Sequence, residues 1–326
     1  MKRREFITLL GSAAAAWPLA ARAQQPKRPV IGFLNSITDN AEDLAAFRQG
    51  LADVGFIEGQ NVMVLYRHAD GHYERLPALA AELVAQQVEV IVTVSSSPAA
   101  LAAKRATSTI PIAFLIGADP IRLGLVSSYN RPGSNATGID VAPESLMAKR
   151  IELLNDLAPK PALFAALINP KNQFFGTTEM RMATEAARTL GREIVFLNAS
   201  TEAELANCFE EIATKNVGGL IVSFESVFAQ LREQIVSLAN RYKVPAVYPL
   251  RQYSEVGGLL SYGPNMPLAH RQVGAYAGRI LKGAHPADLP VMTPTKYDLV
   301  IHLKTAKLLG LTLPLTLQAA ADEVIE

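Results

Sequence analysis

Apolar residues follow two alternating patterns along most of this chain. Short runs rich in β-branched residues, such as 88–94, are typical of strands that are buried on both faces. Between them lie longer segments with helical spacing, in which Leu44, Phe47, Leu51 and Val54 share one face. Strands are predicted near residues 30–34, 62–66, 88–94, 110–115, 164–168, 194–197, 220–222, 246–248 and 259–261. Helices are predicted near 44–54, 76–84, 98–106, 144–157, 177–190, 202–215, 228–242 and 268–281. This alternation indicates an α/β fold with parallel sheets.

The two halves of the chain also resemble each other. Segments 88–112 and 217–246 each contain a strand, a polar loop, a helix, a residue followed by proline, and a second strand. We therefore predict two doubly wound parallel-sheet lobes, built on one topology and joined by a hinge. The alternative is that the resemblance reflects only the rhythm common to all α/β chains.

Glycine and proline indicate where the chain changes lobe. Residues 131–138 contain a proline and two glycines, which break helices and strands, so they form the predicted junction. A second crossing is predicted at 257–264, because glycine-rich segments can absorb the rotation of a hinge. The predicted organisation is a first lobe at 24–137, a second lobe at 138–258, a return to the first lobe at 259–290, and a C-terminal crossing segment at 291–326. The sequence does not assign this last segment to either lobe.

The first 23 residues differ from the rest and have the layout of a secretory signal peptide. A basic head at residues 2–4 precedes an alanine-rich apolar stretch, and Ala21-Arg22-Ala23 forms a cleavage pattern of small residues. The pair Arg3-Arg4, followed by Glu5, Phe6 and Ile7, favours the twin-arginine route over an ordinary signal whose basic head holds two arginines. We therefore expect a periplasmic protein that is cleaved near Ala23.

Composition and motifs narrow the classes of function. The 326 residues carry a net charge of +1, and no basic stripe indicates a nucleic-acid partner. The motifs GxSxG, HExxH, GxGxxG and the P-loop are absent from the sequence. Cys208 lies in a helical pattern and is better interpreted as a small buried hydrophobe than as a nucleophile. His68 and His72 flank Gly71 in a predicted loop without a third ligand. No enzymatic activity, metal or cofactor is predicted.

Polar residues at the carboxyl ends of the predicted strands point to ligand binding, because open parallel sheets bind ligands there. Three serines in succession, Ser95 to Ser97, precede a helix, and helix capping explains only one of them. The remaining hydroxyls and free N–H groups suit a carboxylate, while Asp119 or Glu225 suits an ammonium group. Ser96 and Asp119 are expected to hold the ligand from one lobe, and Glu225 and Tyr248 from the other. The predicted binding residues are Asn35, Ser36, Ser95, Ser96, Ser97, Asp119, Thr137, Asn169, Phe175, Glu225, Tyr248 and Tyr253.

Several motifs resemble those of a known family. They include FRQGL at 47–51, GFIEGQNV at 55–62, RPGSNATG at 131–138, GGLLSYG at 257–263 and ADEVIE at 321–326. Together they are similar to the bacterial ABC-transporter substrate-binding proteins of the tryptophan/tyrosine-binding-like group, over nearly all of the mature chain. The chain departs from the usual family pattern at Ser134, where glycine is common, and at His302, where asparagine is common.

The resemblance implies a type I periplasmic-binding fold, in which a ligand is clamped between two lobes with three crossings. It also implies delivery of a small solute to a permease and ATPase complex in the inner membrane. We expect the protein to be a monomer. A carboxylate-bearing or amino-acid-like ligand is expected, with aromatic amino acids among the options. The alternative function is a sensory component that presents its solute to a membrane receptor.

Overall fold

The computed structural model describes residues 28–141, 145–157 and 163–326. The predicted signal peptide, with its twin-arginine pair and cleavage site, lies outside the described residues. No helix among the described residues combines the length and the apolar character that crossing a bilayer would require.

The first lobe is built on a parallel sheet with five strands in the described part of the chain, in the order β2-β1-β3-β4-β5. The strands are β1 (Val30–Asn35), β2 (Met63–His68), β3 (Val90–Thr93), β4 (Ile112–Ile116) and β5 (Ala136–Asp140). The helices between them are α1 (Ala41–Asp53), α2 (Leu76–Ala85) and α3 (Ser97–Ala106), and a 3₁₀ turn at Tyr73–Arg75 precedes α2.

The second lobe is built on a sheet with seven strands in the described residues, in the order β7-β6-β8-β9-β10-β11-β12. The strands are β6 (Leu163–Ile168), β7 (Glu193–Asn198), β8 (Leu220–Val222), β9 (Ala246–Tyr248), β10 (Leu260–Pro264), β11 (Tyr297–His302) and β12 (Glu323–Ile325). The helices in this half of the chain are α4 (Ser145–Leu157), α5 (Gln173–Thr189), α6 (Glu202–Thr214), α7 (Ser226–Gln230), α8 (Arg232–Arg241), α9 (Arg251–Glu255), α10 (Met266–Leu281), α11 (Leu303–Leu308) and α12 (Leu315–Ala320). Helix α10 differs from the others because it packs on the first lobe. A second 3₁₀ turn spans Pro286–Asp288.

The two sheets share one strand order. The first strand of each lobe lies between the second and the third, as β1 does between β2 and β3, and as β6 does between β7 and β8. This order creates a switch point where the loops after the first and third strands diverge, and ligands of open α/β sheets bind at such points. Only β10 and β11 pair antiparallel among the described strands, so the predicted doubly wound parallel lobes are confirmed with one antiparallel addition.

Helices cover both faces of each sheet and bury it. On the first lobe, α1 and α10 pack on one face through side chains such as Phe47 and Val273, while α2 and α3 cover the other. Capping residues help to define where such helices begin. In α1, Asn40 Oδ1 accepts a hydrogen bond from Asp43 N at 2.8 Å and so caps the helix. Strands buried on both faces need continuous apolar runs, and those are the runs that the sequence contains.

The positions of the crossings differ from the predicted boundaries. Residues 131–135 lie within the first lobe, where Asn135 Nδ2 donates to the carbonyls of Thr107 and Ile110. The segment then continues as β5, which pairs with β4, so the chain leaves this sheet after Asp140 and not at the junction predicted after Thr137.

The later crossings differ in the same way. β10 belongs to the second sheet, so the return to the first lobe begins with α10 and not at residue 259. The chain crosses again between Met292 and Tyr297, and β11 and β12 place most of the C-terminal segment in the second lobe. Strand pairing decides these boundaries, and loop composition alone does not encode it.

Candidate functional site

A cavity of about 160 Å³ lies between the two lobes, at the switch point of the first sheet and beside the segments that follow β8 and β9 of the second sheet. The first lobe contributes the loop after β1, the first turn of α1 and Ser95 after β3. The second lobe contributes residues 224–226, parts of α7, α8 and α9, and Leu250. The cavity is therefore enclosed by segments that are far apart in sequence.

The loops after β1 and β3 are joined by hydrogen bonds in the first lobe. Asn35 Oδ1 accepts from Ser36 N at 2.7 Å, and the hydroxyls of Ser36 and Ser96 bond to each other. Ser96 Oγ also accepts from Ala99 N at 3.1 Å, so Ser96 is the residue that caps α3. These two serines are buried and hold the loops, while Ser95 faces the cavity.

Ser95 has a backbone conformation that is unusual for a residue other than glycine. Its φ is +52°, in the left-handed region, where a non-glycine residue is strained by roughly 1–3 kcal/mol. This conformation presents the Ser95 carbonyl to the other lobe, where Ser226 Oγ donates to it at 2.7 Å. Backbone strain of this kind collects at ligand sites, so the geometry of Ser95 agrees with its place in the cavity wall.

Glu225 forms the second contact across the cleft. The Tyr73 hydroxyl of the first lobe donates to Glu225 Oε1, and Asn172 Nδ2 of the second lobe donates to Oε2 at 2.8 Å. The carboxyl is 5% exposed, and this burial raises the pKa of Glu225 to about 8, because a buried charge loses its hydration. The cleft therefore encloses a carboxyl group that keeps its proton at pH values where an ordinary glutamate has lost it.

Aromatic side chains form the wall on the side of the second lobe. Phe224 and Tyr253 line the cavity, and Tyr248 stacks behind Tyr253 with ring centroids 4.9 Å apart and planes at 15°. Burial raises the pKa of both tyrosines. The Tyr253 hydroxyl and Gln252 Oε1 are buried and have no hydrogen-bond partner among the described residues. Buried polar atoms are normally paired, so these two are candidates for contacts with a ligand.

Three residues predicted for the site lie away from this cavity, because each has a local structural role. Asp119 Oδ1 accepts from Ile121 N at 2.8 Å and closes a turn. Thr137 is buried in β5, where its hydroxyl donates to the Leu289 carbonyl at 2.6 Å. Asn169 Oδ1 accepts from Lys171 N at 3.0 Å and organises the loop after β6.

Two more predicted residues, Ser97 and Tyr248, lie beside the cavity and do not line it. Ser97 lines a separate space of about 10 Å³ beside Ser95 and does not line the main cavity. Tyr248 supports Tyr253 from behind and does not itself line the cavity. The side chain of Phe175 lies outside the described residues.

Other cavity residues were not predicted from the sequence. They include Asp39, Asp43, Ser226, Arg232, Gln252 and Met266. Asp39 and Asp43 lie on either side of Asn40, the cap of α1, so their position is equally typical of a helix start. Arg232 and Gln252 follow no predicted strand directly, so a search of strand ends could not find them.

The histidines and the cysteine have structural surroundings. His68 Nε2 lies 3.0 Å from Asp39 Oδ2, whereas His72 is exposed beside Glu74. Cys208 Sγ donates to the Asn198 carbonyl at 3.4 Å, and burial raises the pKa of this thiol to about 11. A thiol with a raised pKa is a poor nucleophile at neutral pH.

Two α/β lobes with a polar and aromatic cavity between them define a two-lobed solute-binding protein. A family model described as ABC transporter substrate binding protein matches residues 35–325, and the chain belongs to this family. The family is one of solute-binding proteins that work with ABC transporters.

Individual relatives agree with this assignment. The tyrosine-binding protein of Clostridioides difficile (strain R20291) is 24% identical over 292 residues, which cover 89% of this chain and 83% of that protein. A solved ABC domain in complex with L-Trp from Streptococcus pneumonia is 26% identical, with a TM-score of 0.83 over 92% of this chain and 100% of that chain. A conserved domain protein from Vibrio cholerae is 27% identical, with a TM-score of 0.82 over 91% of this chain and 100% of that chain.

Proposed function

We propose that this protein is the solute receptor of an ABC importer and that it captures one free aromatic amino acid between its lobes. The observation that carries the proposal is the composition of the cavity wall. Asp43 and Arg232 supply opposite charges, and Phe224 and Tyr253 supply flat apolar surfaces. A zwitterion with a planar side chain matches this combination better than a sugar or a simple acid does.

The ligands of two relatives support the same class of solute. One relative is named for binding tyrosine and another is complexed with L-Trp. Both ligands are amino acids with an aromatic side chain. Stacking of such a side chain on Tyr253 or Phe224 contributes about 0.5–1.5 kcal/mol beyond the burial of its surface.

Capture is proposed to occur by hinge closure. The bonds from Tyr73 to Glu225 and from Ser226 to Ser95 join the lobes, so they form only when the lobes approach each other. A ligand that contacts both walls binds the closed form better than the open form and shifts the population toward it. The unpartnered atoms of Gln252 and Tyr253 gain partners in that complex.

A thermal-shift screen of the ligand-free protein against the common amino acids and several sugars tests the proposal. Tryptophan, tyrosine or phenylalanine is expected to stabilise the protein, by about 2.7 kcal/mol at 100 times the dissociation constant. Ala229→Trp, which fills the cavity, should abolish the shift, whereas Leu315→Trp on an exposed helix should keep it. Stabilisation by a sugar alone, or by no small solute, would contradict the proposal.

We also propose that the chain is exported through the signal peptide at 1–23, by the twin-arginine route, and works in the periplasm. There a monomer would deliver its ligand to a permease and ATPase complex. Fractionation of cells, followed by N-terminal sequencing, should find a periplasmic chain that begins at Gln24. Recovery of the uncleaved chain in the cytosol would contradict export.

A further inference from the structure

Three acidic side chains line the cavity between the lobes, and their hydrogen bonds distinguish one of them. Both oxygens of Asp39 have partners, at 2.8 Å and 3.0 Å, and both oxygens of Glu225 accept the bonds described above. Asp43 differs. Its Oδ2 accepts from Asn40 Nδ2 at 2.6 Å, but its Oδ1 is buried with no hydrogen-bond partner among the described residues.

The neighbouring histidine does not satisfy this oxygen. His270 Nδ1 lies 3.5 Å from Asp43 Oδ1, but it is 2.9 Å from the Met266 carbonyl. A carbonyl can only accept, so the hydrogen on Nδ1 points to Met266. Asp43 is 8% exposed, and a carboxylate oxygen buried without a partner is costly. A donor that arrives with the ligand would remove this cost.

A cation lines the same cavity on the second lobe. Arg232 begins α8, and its Nη1 donates to the Ala229 carbonyl at 3.0 Å. Its contact with the Glu233 carboxylate is 4.0 Å long, and its side chain is 35% exposed. A guanidinium has five N–H donors, so most of its capacity remains for an anion in the cavity.

We propose that the cavity binds both charged groups of an α-amino acid. Asp43 Oδ1 on the first lobe accepts a hydrogen bond from the ammonium group, and Arg232 on the second lobe donates to the carboxylate. This assignment rests on the proposed function and deepens it. The two charges of one solute then connect the two lobes, so a zwitterion favours closure in a way that neither charge alone can.

Specificity follows from the desolvation of Asp43. A carboxylic acid that lacks the ammonium group leaves Oδ1 unpaired, and a site built for a hydrogen bond strongly rejects an analogue that lacks it. Arg232 is more exposed, so water can replace a missing carboxylate there. Loss of the ammonium group should therefore reduce affinity more than loss of the carboxylate.

The test measures binding by calorimetry to L-tryptophan, tryptamine and indole-3-propionate. Wild type is compared with Asp43→Asn, Arg232→Gln and the control Asp119→Asn, whose carboxyl lies outside the cavity. Asp43→Asn should weaken binding of tryptophan about 10- to 100-fold and erase its advantage over indole-3-propionate. Arg232→Gln should weaken binding of tryptophan and erase its advantage over tryptamine. The control should bind as wild type does.

The outcomes separate this assignment from the proposed function. If wild type binds tryptophan and both cavity variants bind it equally well, the charge assignment is overturned and the proposed function survives. Equal losses for all three ligands would show general damage and would also overturn the assignment. If wild type binds no amino acid, both fail. Melting curves verify folding, and Arg232→Gln, at a partly exposed position, keeps the test decisive if Asp43→Asn does not fold.

Discussion

Tyr253 is fully buried, yet its hydroxyl has no hydrogen-bond partner among the described residues. The ring is held by the stacked Tyr248, and the residue lines the cavity between the lobes. Burying a hydroxyl without a partner costs about 1–3 kcal/mol, which the ligand-free fold must offset elsewhere. A ligand with a polar group near Tyr253 would recover this energy as affinity.

The substitution Tyr253→Phe should separate stability from binding. It removes an unpaired hydroxyl, so the ligand-free protein should melt at the same or a higher temperature than wild type. Its affinity for the amino acid should fall by about 3- to 10-fold, the usual worth of one hydrogen bond. Differential scanning calorimetry and titration calorimetry measure the two effects. Unchanged affinity would show that the hydroxyl does not contact the ligand.

Helix α10 returns to the first lobe and packs on α1 through glycines. A Cβ at Gly50 would lie 1.8 Å from the Arg271 carbonyl oxygen, and a Cβ at Gly274 would lie 2.3 Å from that of Phe47. The helices are therefore so close that their backbones touch. This contact anchors the segment that follows the second crossing, and Met266 at its start lines the cavity.

The substitution Gly50→Ala should destabilise the protein more than Gly278→Ala in the same interface. A Cβ at Gly278 would meet a side chain, Val54 Cγ2 at 2.2 Å, which can move, whereas at Gly50 it meets backbone. Overpacking costs about 1–3 kcal/mol, and both substitutions gain about 1 kcal/mol of helix propensity. Urea unfolding measures the difference. If Gly278→Ala were the more destabilising substitution, the backbones of α1 and α10 would have to move apart at Gly50 at little cost.

Glu225 lies between the two lobes, and its burial there raises the pKa of this carboxyl to about 8. In the open cleft that the proposed hinge motion would produce, a hydrated glutamate would have its ordinary pKa of 4.5. Closing therefore takes up a proton between these two values of pH. The raised pKa means that this contribution to closure is fully present below pH 4.5 and is lost as the pH rises through about 8.

Acidification should consequently favour the closed form of the ligand-free protein. Small-angle scattering should give a smaller radius of gyration at pH 6 than at pH 9. Glu225→Gln should reduce this difference, because it removes the carboxyl whose protonation is coupled to closure. Opening of wild type on acidification would contradict the assignment.

The elements of the fold could be predicted because their signals are local. Strands β1, β6, β8 and β9 lie where apolar runs predicted them, within one residue. The predicted helix at 228–242 is divided at Leu231 into α7 and α8, and β5, β11 and β12 were not predicted. Gly138, one of the two glycines that predicted a junction at 131–138, instead allows close packing, because a Cβ there would lie 1.9 Å from the Phe114 carbonyl oxygen.

The sequence by itself determined the α/β class, the repeated strand–loop–helix–strand pattern and the strand ends where a site was expected. These depend on periodicity among near neighbours. Tertiary structure decided which strand ends meet. Tyr73 and Glu225 are 152 residues apart, and Ser95 and Ser226 are 131 residues apart. The tertiary structure also places Asp119 in a local turn and brings Asp43 and Arg232 to one cavity. Such partners depend on how the two lobes approach each other, and no local sequence pattern encodes that approach.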